Sequence, residues 1–293
     1  MKDLIRRAET LIEALPYIQA FAGKTVVVKY GGHAMQDPAL EDDFARDIVL
    51  LAAVGIHPIV VHGGGPQIAK VLGQLGIETR FHEGLRVTDE RTMDVVEMVL
   101  TGLVNGAIVR RINTFGGNAV GLSGKDGNLI RAKKMRLQLA RSRSEEVDLG
   151  QVGEVAEIRP GILATLIAQG FIPVVAPVGQ GADAKALNLN ADHVAGRIAE
   201  ALQAEKLILL TDVDGVMDRD KHLISSLTVT EAEAFIADGT IRGGMIPKIH
   251  CVVDAVKNGV KKTHIINGTL PHAVLLEVFT KGGVGTEVVK EES

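Results

Sequence analysis

Glycine-rich segments that follow predicted strands are the parts of this sequence whose residue types and spacing could do chemistry. They are residues 29–33, 62–66 and 243–248. Backbone N–H groups of glycine loops and of helix N-termini can approach an anion closely, because no Cβ stands in the way. Lys29 follows an apolar run directly, where a lysine can place a compact positive charge over a phosphate. The segments predict a site for anionic ligands, although the glycines of any one loop could equally be turns and helix caps.

Common phosphate and metal motifs do not account for these segments. Residues 23–25 have the Gly-Lys-Thr tail of a P-loop, but the first glycine of that motif is missing. Residues 62–66 lack the G-x-G-x-x-G spacing of a dinucleotide site. Residues 82–83 lack the second histidine of a zinc protease because Arg86 occupies its place, and the glycine of 212–215 comes too early for an EF-hand. The sequence therefore predicts no metal site of its own.

The composition excludes several classes of function. The 293 residues carry 32 Lys and Arg against 36 Asp and Glu, a net charge of −4, and 3% of them are aromatic. A chain without a basic field or stacking platforms is a poor match for nucleic acid. The single cysteine cannot form an internal disulfide, charges interrupt the N-terminus, and the charge-free stretch 48–69 contains His, Pro and Gly. We expect no nucleic-acid partner, no membrane association and a location in the cytoplasm.

The hydrophobic pattern predicts the elements that position the glycine segments. Apolar residues at helical spacing over 4–15 indicate an amphipathic helix that ends at Pro16. Strands and helices then alternate, which predicts an α/β fold with an open, mainly parallel twisted sheet and helices on both faces. Residues 117–158 look like hairpins inserted at the sheet edge, and small residues around 177–184 indicate a lobe boundary. The predicted strands are 25–30, 58–62, 171–176, 206–211 and 262–267, and the later helices are 38–54, 66–75, 89–115, 160–169, 191–203, 230–238, 246–258 and 271–279.

Five motifs carry a resemblance to a known family. In chain order they are VVVKYGG, VVHGGGPQI, LNLNADHVA, LLTDVDGV and GGMIPKI. Together they resemble the amino-acid kinase family over about residues 24–289, and within it the branch that phosphorylates N-acetyl-L-glutamate in arginine biosynthesis. The resemblance implies transfer of the γ-phosphoryl group of ATP, with Mg²⁺, to the side-chain carboxylate of that substrate. It implies an N-terminal oligomerisation helix over 1–22, an acyl-substrate lobe over 23–180 and an ATP lobe with a possible arginine site over 181–293.

The resemblance also implies roles for individual residues. Lys29 and Lys248 match the two lysines that flank the transferred phosphoryl group, and Asp192 matches the aspartate that orients them. A carboxylate in the first turn of a helix would also suit the helix dipole alone. A glutamate side chain has a pKa of about 4.3, so it is ionised at neutral pH and no general base is needed. The residues matching the acyl-substrate site are Gly64, Gly65, Arg86 and Asn188, and those matching the ATP site are Gly31, Gly32, Thr211, Asp212, Asp214, Gly215, Gly243, Gly244 and Met245.

Regulation by L-arginine is a further implication of the resemblance. In arginine-sensitive members an extra N-terminal helix interlaces dimers into a hexamer, a trimer of dimers, and this sequence has a helix in that place. The helix could instead pack on its own lobe. Residues 267–269 depart from the Asp-Gly-Arg that many relatives have there. The residues matching the arginine site are Tyr17, His264, Glu277, Gly283 and Gly285, with Thr280 and Thr286 at matching spacing.

Two other functions stay open at this point. One is another kinase on the same fold, with aspartate, glutamate, carbamate or a nucleoside monophosphate as acceptor. The other is a non-catalytic arginine sensor that has kept the fold. The presence of both Lys29 and Lys248 argues against the sensor.

Overall fold

The computed structural model describes residues 1–82, 84–138 and 146–291. Helices and strands alternate along the chain, as the pattern predicts. The helices are α1 (Lys2–Phe21), α2 (Pro38–Ala53), α3 (Gly65–Gln74), α4 (Glu90–Glu97), α5 (Asn105–Thr114), α6 (Gly161–Ala168), α7 (Ala191–Ala201), α8 (Val229–Ala237), α9 (Met245–Lys257) and α10 (Ala273–Phe279). A π-helical turn at Met98–Val104 joins α4 to α5, and short 3₁₀ turns lie at Gly32–Met35 and Asp126–Asn128. The strands are β1 (Thr25–Tyr30), β2 (His57–His62), β3 (Phe81–His82), β4 (Leu85–Arg86), β5 (Ala119–Ser123), β6 (Ile130–Lys134), β7 (Leu137–Gln138), β8 (Glu146–Val147), β9 (Gly153–Ile158), β10 (Ile172–Ala176), β11 (Val178–Gln180), β12 (Ala186–Asn188), β13 (Lys206–Thr211), β14 (Ser226–Thr228), β15 (Lys262–Asn267) and β16 (Thr286–Val289).

A mainly parallel sheet forms the centre of the molecule. Among the described residues it has eight strands in the order β14-β16-β15-β13-β1-β2-β10-β5. Neighbouring strands are parallel except for β15 and β16. Val26 and Val28 of β1 belong to one buried apolar cluster and Val27 to another, so helices cover both faces. Burial on two faces explains why the central strands are continuous apolar runs. The predicted fold class is confirmed.

The register of the central strands brings two glycine segments together. Lys29 of β1 is level with Val61 of β2, and Tyr30 is level with His62. Parallel strands end at the same edge of a sheet, so the loops after β1 and β2 are neighbours. The Gly63 N–H donates a hydrogen bond of 2.8 Å to the Tyr30 carbonyl.

The N-terminal helix continues beyond its predicted end. α1 runs through Pro16 to Phe21, whereas the pattern predicts an end at the proline. An internal proline costs roughly 3 kcal/mol, since it removes a hydrogen bond and crowds the preceding turn. Contacts of the last turn offset this cost, because Phe21 packs against the core and its ring lies 5.1 Å from the Nζ of Lys206. The apolar side chains that remain exposed on α1 are Leu4, Ile5, Leu11, Ile12 and Leu15.

The prediction for residues 117–158 is wrong in part. β5 is an edge strand of the central sheet, where it pairs in parallel with β10. β6 and β9 do pair antiparallel, but they belong to a separate four-stranded sheet with β11 and β12. Short strands with mixed polarity do not specify which sheet they join, because both positions satisfy their backbone groups. The predicted lobe boundary at 177–184 contains β11 and the turn before β12.

In the part of the chain that the structure describes, one helical stretch is long and apolar enough to cross a membrane by length and composition. This stretch is Glu90–Thr114, and half of its most apolar 18-residue segment is buried inside the protein. It packs against α2, β5 and β10. Because the core helix of a globular protein meets the same criteria, the stretch is not by itself a sign of membrane association.

Candidate active site

Two lysines meet one aspartate at the edge of the central sheet where β1 ends. Lys29 is the penultimate residue of β1, Asp192 lies in the first turn of α7, and Lys248 lies in the first turn of α9. The Nζ atom of Lys29 lies 3.0 Å from Oδ1 of Asp192, and the Nζ atom of Lys248 donates a hydrogen bond of 2.8 Å to Oδ2. The structure therefore brings together the three residues that the motifs single out for catalysis.

The two lysines of this cluster stabilise the ionised form of Asp192. Burial alone would raise the pKa of Asp192, but attraction and hydrogen bonds from Lys29 and Lys248 lower it to about 2. The carboxylate is therefore ionised at neutral pH. Its side chain is 13% exposed, which limits screening by water. Asp192 thus holds both ammonium groups in place and leaves one net positive charge for an anionic ligand.

The loop after β1 leaves room for Lys29. A Cβ on Gly31 would lie 3.0 Å from Nζ and 3.2 Å from Cε of that lysine, and 3.7 Å from the backbone nitrogen of Gly63. Gly31 therefore lies between the end of the Lys29 side chain and the glycine loop at residues 62–66. Gly32 has a φ of +74°, a left-handed conformation that favours glycine.

A cavity of about 230 Å³ is lined by Ala191, which directly precedes Asp192, and by all four predicted acyl-substrate residues. Gly64 and Gly65 form one wall of the cavity, at the start of α3. Arg86 and Asn188 face it from β4 and from the end of β12. The first N–H groups of a helix have no acceptor within the helix, so α3 presents donors here. The cavity suits a small ligand with carboxylate groups.

Arg86 is held in the cavity wall by three contacts. Its guanidinium donates to Oγ1 of Thr79 and to the Gly65 carbonyl, both at 3.2 Å, and lies 4.7 Å from the ring centroid of Phe81. Burial lowers the pKa of Arg86, yet a guanidinium stays charged in proteins. Asn188 donates a hydrogen bond of 3.3 Å to Oγ1 of Thr88. Both side chains are therefore oriented before a ligand binds.

Sequence reasoning missed part of this wall. Phe81 and Leu100 line the cavity, and Asn190 caps α7 by accepting hydrogen bonds from the backbone of Asp192 and His193. The asparagine could have been recognised as a helix N-cap from its place before an apolar periodic run. No local signal marks Leu100, because only the tertiary fold brings it to the glycine loop.

Of the residues predicted to bind ATP, Gly31 and Gly32 lie just after β1, and the others lie in the C-terminal half. Thr211 ends β13 and its hydroxyl donates to the Val213 carbonyl at 2.8 Å. Asp214 accepts a hydrogen bond of 2.7 Å from Asn267. The segment that departs from the family pattern therefore lies beside this loop. The remaining predicted residues are Asp212 and Gly215 in the same loop, and Gly243, Gly244 and Met245, which lead into the N-terminus of α9.

A second cavity, of about 390 Å³, contains all five residues predicted for an arginine site. Tyr17 reaches it from α1, His264 from β15 and Glu277 from α10, and Gly283 and Gly285 precede β16. A Cβ on Gly283 would lie 2.8 Å from both carboxylate oxygens of Glu277, so glycine leaves room for that carboxylate. The structure therefore joins residues from distant parts of the chain in one concave site.

Three buried polar side chains in contact with one another form the floor of the second cavity. The Nζ atom of Lys206 lies 3.0 Å from Nε2 of His264, and Nδ1 of His264 lies 2.7 Å from Oε1 of Glu277. Burial lowers the pKa values of Lys206 and His264. Burial would raise the pKa of Glu277, but hydrogen bonds from His264 and the backbone of Val284 and the charge of Lys206 lower it. Lys206 was missed, although a lysine that opens a wholly apolar strand is a recognisable signal.

The fold and this site define a class of protein. The sequence matches the amino acid kinase family over residues 24–267. The chain belongs to the amino acid kinase family, as the ordered motifs predict.

Relatives of known function are similar over the whole chain. The acetylglutamate kinase of Geotalea uraniireducens (strain Rf4) is 55% identical over 291 residues, which are 99% of this chain and 100% of that protein. The structure of N-acetylglutamate synthase from Neisseria gonorrhoeae complexed with coenzyme A and N-acetyl-glutamate superposes with a TM-score of 0.84 at 26% identity. That alignment covers 98% of this chain but 64% of the longer synthase chain. A structure of the same synthase complexed with coenzyme A and L-arginine has a TM-score of 0.79 at 26% identity, covering 97% of this chain and 65% of that one.

Proposed function

We propose that this protein transfers the γ-phosphoryl group of ATP to the side-chain carboxylate of N-acetyl-L-glutamate, giving N-acetylglutamyl 5-phosphate and ADP. The sequence identity of 55% to an acetylglutamate kinase, over 99% of this chain, supports N-acetyl-L-glutamate as the substrate. The observation that carries the chemistry is the meeting of Lys29, Asp192 and Lys248 next to a cavity lined by Arg86 and Asn188.

Substrate binding follows from the walls of the cavity. Arg86 presents a planar pair of donors, which matches the α-carboxylate of the substrate in a bidentate way. The N–H groups of Gly64 and Gly65 bind the reacting side of the acyl substrate, and Asn188 adds a polar contact. In this arrangement the side-chain carboxylate of the substrate points past Gly31 toward Lys29.

Phosphoryl transfer then needs alignment and charge neutralisation. An oxygen of the substrate carboxylate forms a bond to the γ-phosphorus, the bond from that phosphorus to the bridging oxygen breaks, and ADP leaves with the electron pair. The carboxylate is already ionised, so no proton is removed. Lys29 and Lys248 stabilise negative charge on the transferred group, and Asp192 orients the two ammonium groups through its two oxygens.

ATP enters from the C-terminal half of the chain in this proposal. Residues 211–215 and 243–245, with Gly31 and Gly32, contact the nucleotide, and the N-terminus of α9 faces its phosphates. Mg²⁺ bound to the phosphates neutralises part of their charge. Both oxygens of Asp192 already contact lysines, so this carboxylate orients cations and is not assigned as a metal ligand.

Feedback by L-arginine through the second cavity is part of the same proposal. Glu277 is placed to bind a guanidinium bidentately, and α1 contributes Tyr17 to the wall while its exposed apolar stripe interlaces dimers into a hexamer in the cytoplasm. The synthase complexed with L-arginine supports the idea that this fold can bind that ligand. Unchanged activity and substrate affinity in millimolar L-arginine would exclude this regulation.

An ATP-consumption assay with alternative acceptors tests the proposal most directly. ADP release is measured with N-acetyl-L-glutamate, L-glutamate, L-aspartate or carbamate at equal concentration, with a no-acceptor control. We expect turnover with the acetylated substrate and at least tenfold less with each of the others, since Arg86 and the cavity are matched to it. Preference for another acceptor would make the protein a different kinase of the family. Arginine binding without any turnover would instead identify a sensor.

A further inference from the structure

A buried polar pair lies under the glycine loop that forms one wall of the acyl-substrate cavity. His62 is the last residue of β2 and is 0% exposed, and Asn105 is the first residue of α5 and is 4% exposed. Nδ1 of His62 lies 2.8 Å from the Gly63 carbonyl oxygen, and Nε2 lies 3.1 Å from Nδ2 of Asn105. The mechanism described above uses neither side chain.

The two contacts determine where the proton of His62 resides. A carbonyl oxygen can only accept, so Nδ1 carries the hydrogen and donates it to Gly63. The amide nitrogen of Asn105 can only donate, so Nε2 of His62 accepts. That amide nitrogen also donates to the Val174 carbonyl of β10 at 2.9 Å, which fixes which end of the amide faces the imidazole. Burial lowers the pKa of His62 to about 4, so the ring stays neutral at physiological pH.

This tautomer sets the direction of one backbone donor. Gly63 is bound at both ends, because its N–H donates to the Tyr30 carbonyl and its carbonyl accepts from His62. The Gly63 carbonyl and the Gly64 N–H belong to the same planar trans peptide group, in which they point in opposite directions. With the carbonyl held toward His62, the Gly64 N–H must point away from the imidazole. Gly64 lines the acyl-substrate cavity.

The helix that carries Asn105 also supports the loop by packing. A Cβ on Gly64 would lie 2.6 Å from Cδ2 of Leu100, which belongs to the π-helical turn that Asn105 directly follows. On the other side, a Cβ on Gly121 of β5 would lie 2.0 Å from Oδ1 of Asn105, so glycine there leaves room for the amide. π-helical turns frequently occur at functional sites, where one inserted residue shifts the facing side chains.

We propose that His62 and Asn105 are positioning residues that direct the Gly64 N–H into the acyl-substrate cavity and thereby set the affinity for the acceptor carboxylate. The proposal rests on the proposed kinase function of this site. Neither residue contacts the reacting atoms, so their effect is on acceptor binding and not on the nucleotide.

A matched pair of His62 variants tests the proposal. In His62→Asn the side-chain nitrogen can take the place of Nδ1 and keep the bond to Gly63. In His62→Gln the amide reaches the Nε2 position and keeps only the contact with Asn105. Loss of a bond to a buried carbonyl predicts a KM for N-acetyl-L-glutamate raised roughly 10- to 100-fold in H62Q and by less than about threefold in H62N. The KM for ATP should stay at the wild-type value in both.

The outcomes separate positioning from a merely structural role. Equal rises of the acceptor KM in H62N and H62Q, or a matching rise of the ATP KM, would overturn the proposal. Urea unfolding of both variants shows whether their folds are comparable. A wild-type protein without kinase activity would contradict the proposed function itself.

A measurement on the wild-type protein keeps the proposal testable if a variant does not fold. Nitrogen-15 NMR of labelled wild-type protein at neutral pH reports which ring nitrogen carries the hydrogen, and sequential backbone-to-side-chain correlations assign the His62 signal. We expect hydrogen on Nδ1 and none on Nε2. Hydrogen on Nε2, or on both nitrogens, would overturn the proposal whatever the kinetics.

Discussion

At the scale of single residues, the site depends on two lysines that share one carboxylate. Asp192 neutralises one of the two positive charges and holds each Nζ atom at a different carboxylate oxygen. A preorganised pair of cations stabilises charge that develops in the transition state without reorganising at the moment of reaction. The proposed chemistry therefore places Lys29 and Lys248 among the residues most sensitive to substitution.

Replacing either lysine by alanine should lower kcat by roughly two or more decades, on the scale of removing a preorganised transition-state donor. Steady-state kinetics with N-acetyl-L-glutamate and ATP measures the effect. The fold should persist, because both side chains are at the rim of the core, and circular dichroism with urea unfolding checks this. Unchanged turnover in both variants would contradict the assigned roles.

Gly31→Ala offers a finer test of lysine placement. The added methyl would lie 3.0 Å from Nζ of Lys29, whose flexible end can move aside, so the fold should survive while kcat falls roughly tenfold. Gly73→Ala is the matched control, since nothing lies within 4 Å of its added methyl in α3. That control should keep kcat and gain about 0.5–1 kcal/mol in unfolding free energy. Equal kcat values for the two variants would show that Lys29 does not need this space.

At the scale of elements, a contact between a buried carboxyl group and a half-exposed histidine joins α2 to the start of α10. Asp47 is 1% exposed, and its Oδ1 lies 2.7 Å from Nδ1 of His272, whose φ of +54° is left-handed. Burial is the main reason that the pKa of Asp47 is raised from 3.8 to about 6, with the contact to His272 opposing it. α10 also carries Glu277, which lines the second cavity. The contact between His272 and Asp47 therefore connects the helix that lines this cavity to α2.

The raised pKa predicts a pH dependence of stability. The folded protein binds a proton at Asp47 more readily than the unfolded chain does, so the unfolding free energy should decrease as pH rises from about 4 to 6. In Asp47→Asn this contribution is absent, and the wild type should lose about 2 kcal/mol relative to the variant between pH 4 and pH 7. Urea unfolding across this range measures the difference. Asp94→Asn, at an exposed position of α4, should follow the wild-type slope, and a D47N profile parallel to the wild type would contradict the assignment.

At the scale of the whole molecule, α1 is the element with most unexplained apolar surface. Leu11 and Ile12 are 72% and 68% exposed, while Tyr17 and Phe21 at the other end line the second cavity. An amphipathic helix whose apolar stripe is largely exposed in its own chain favours pairing with another copy. The proposed hexamer would bury this stripe and connect the arginine cavities to assembly.

The double variant Leu11→Glu, Ile12→Glu should lower the mass measured by light scattering from hexamer to dimer. Charged side chains in an apolar helix pair are strongly unfavourable. Kinase activity should stay within about twofold, since the catalytic residues lie far along the chain, while inhibition by L-arginine should weaken. Glu13→Gln, an exposed polar position of the same helix, should keep the wild-type mass. Identical masses for all three proteins would exclude assembly through α1.

The sequence by itself determined the alternation of strands and helices, and its motifs singled out the residues proposed for the site. Hydrophobic periodicity is a local property, and it predicts β1, β2 and β13 within one residue because these strands are buried on both faces. The ordered motifs likewise identify the family to which the chain belongs. Lys29, Asp192 and Lys248 were recognisable because their chemistry and flanking glycines are visible in single segments.

Tertiary structure decided how those segments meet. Only the fold shows that Asp192 contacts both lysines, that Leu100 supports Gly64, and that Lys206 lies under the second cavity. The extension of α1 beyond Pro16 and the place of β5 in the central sheet also escaped prediction. In each case the deciding free energy comes from packing between parts of the chain that are distant in sequence, which local propensity does not contain.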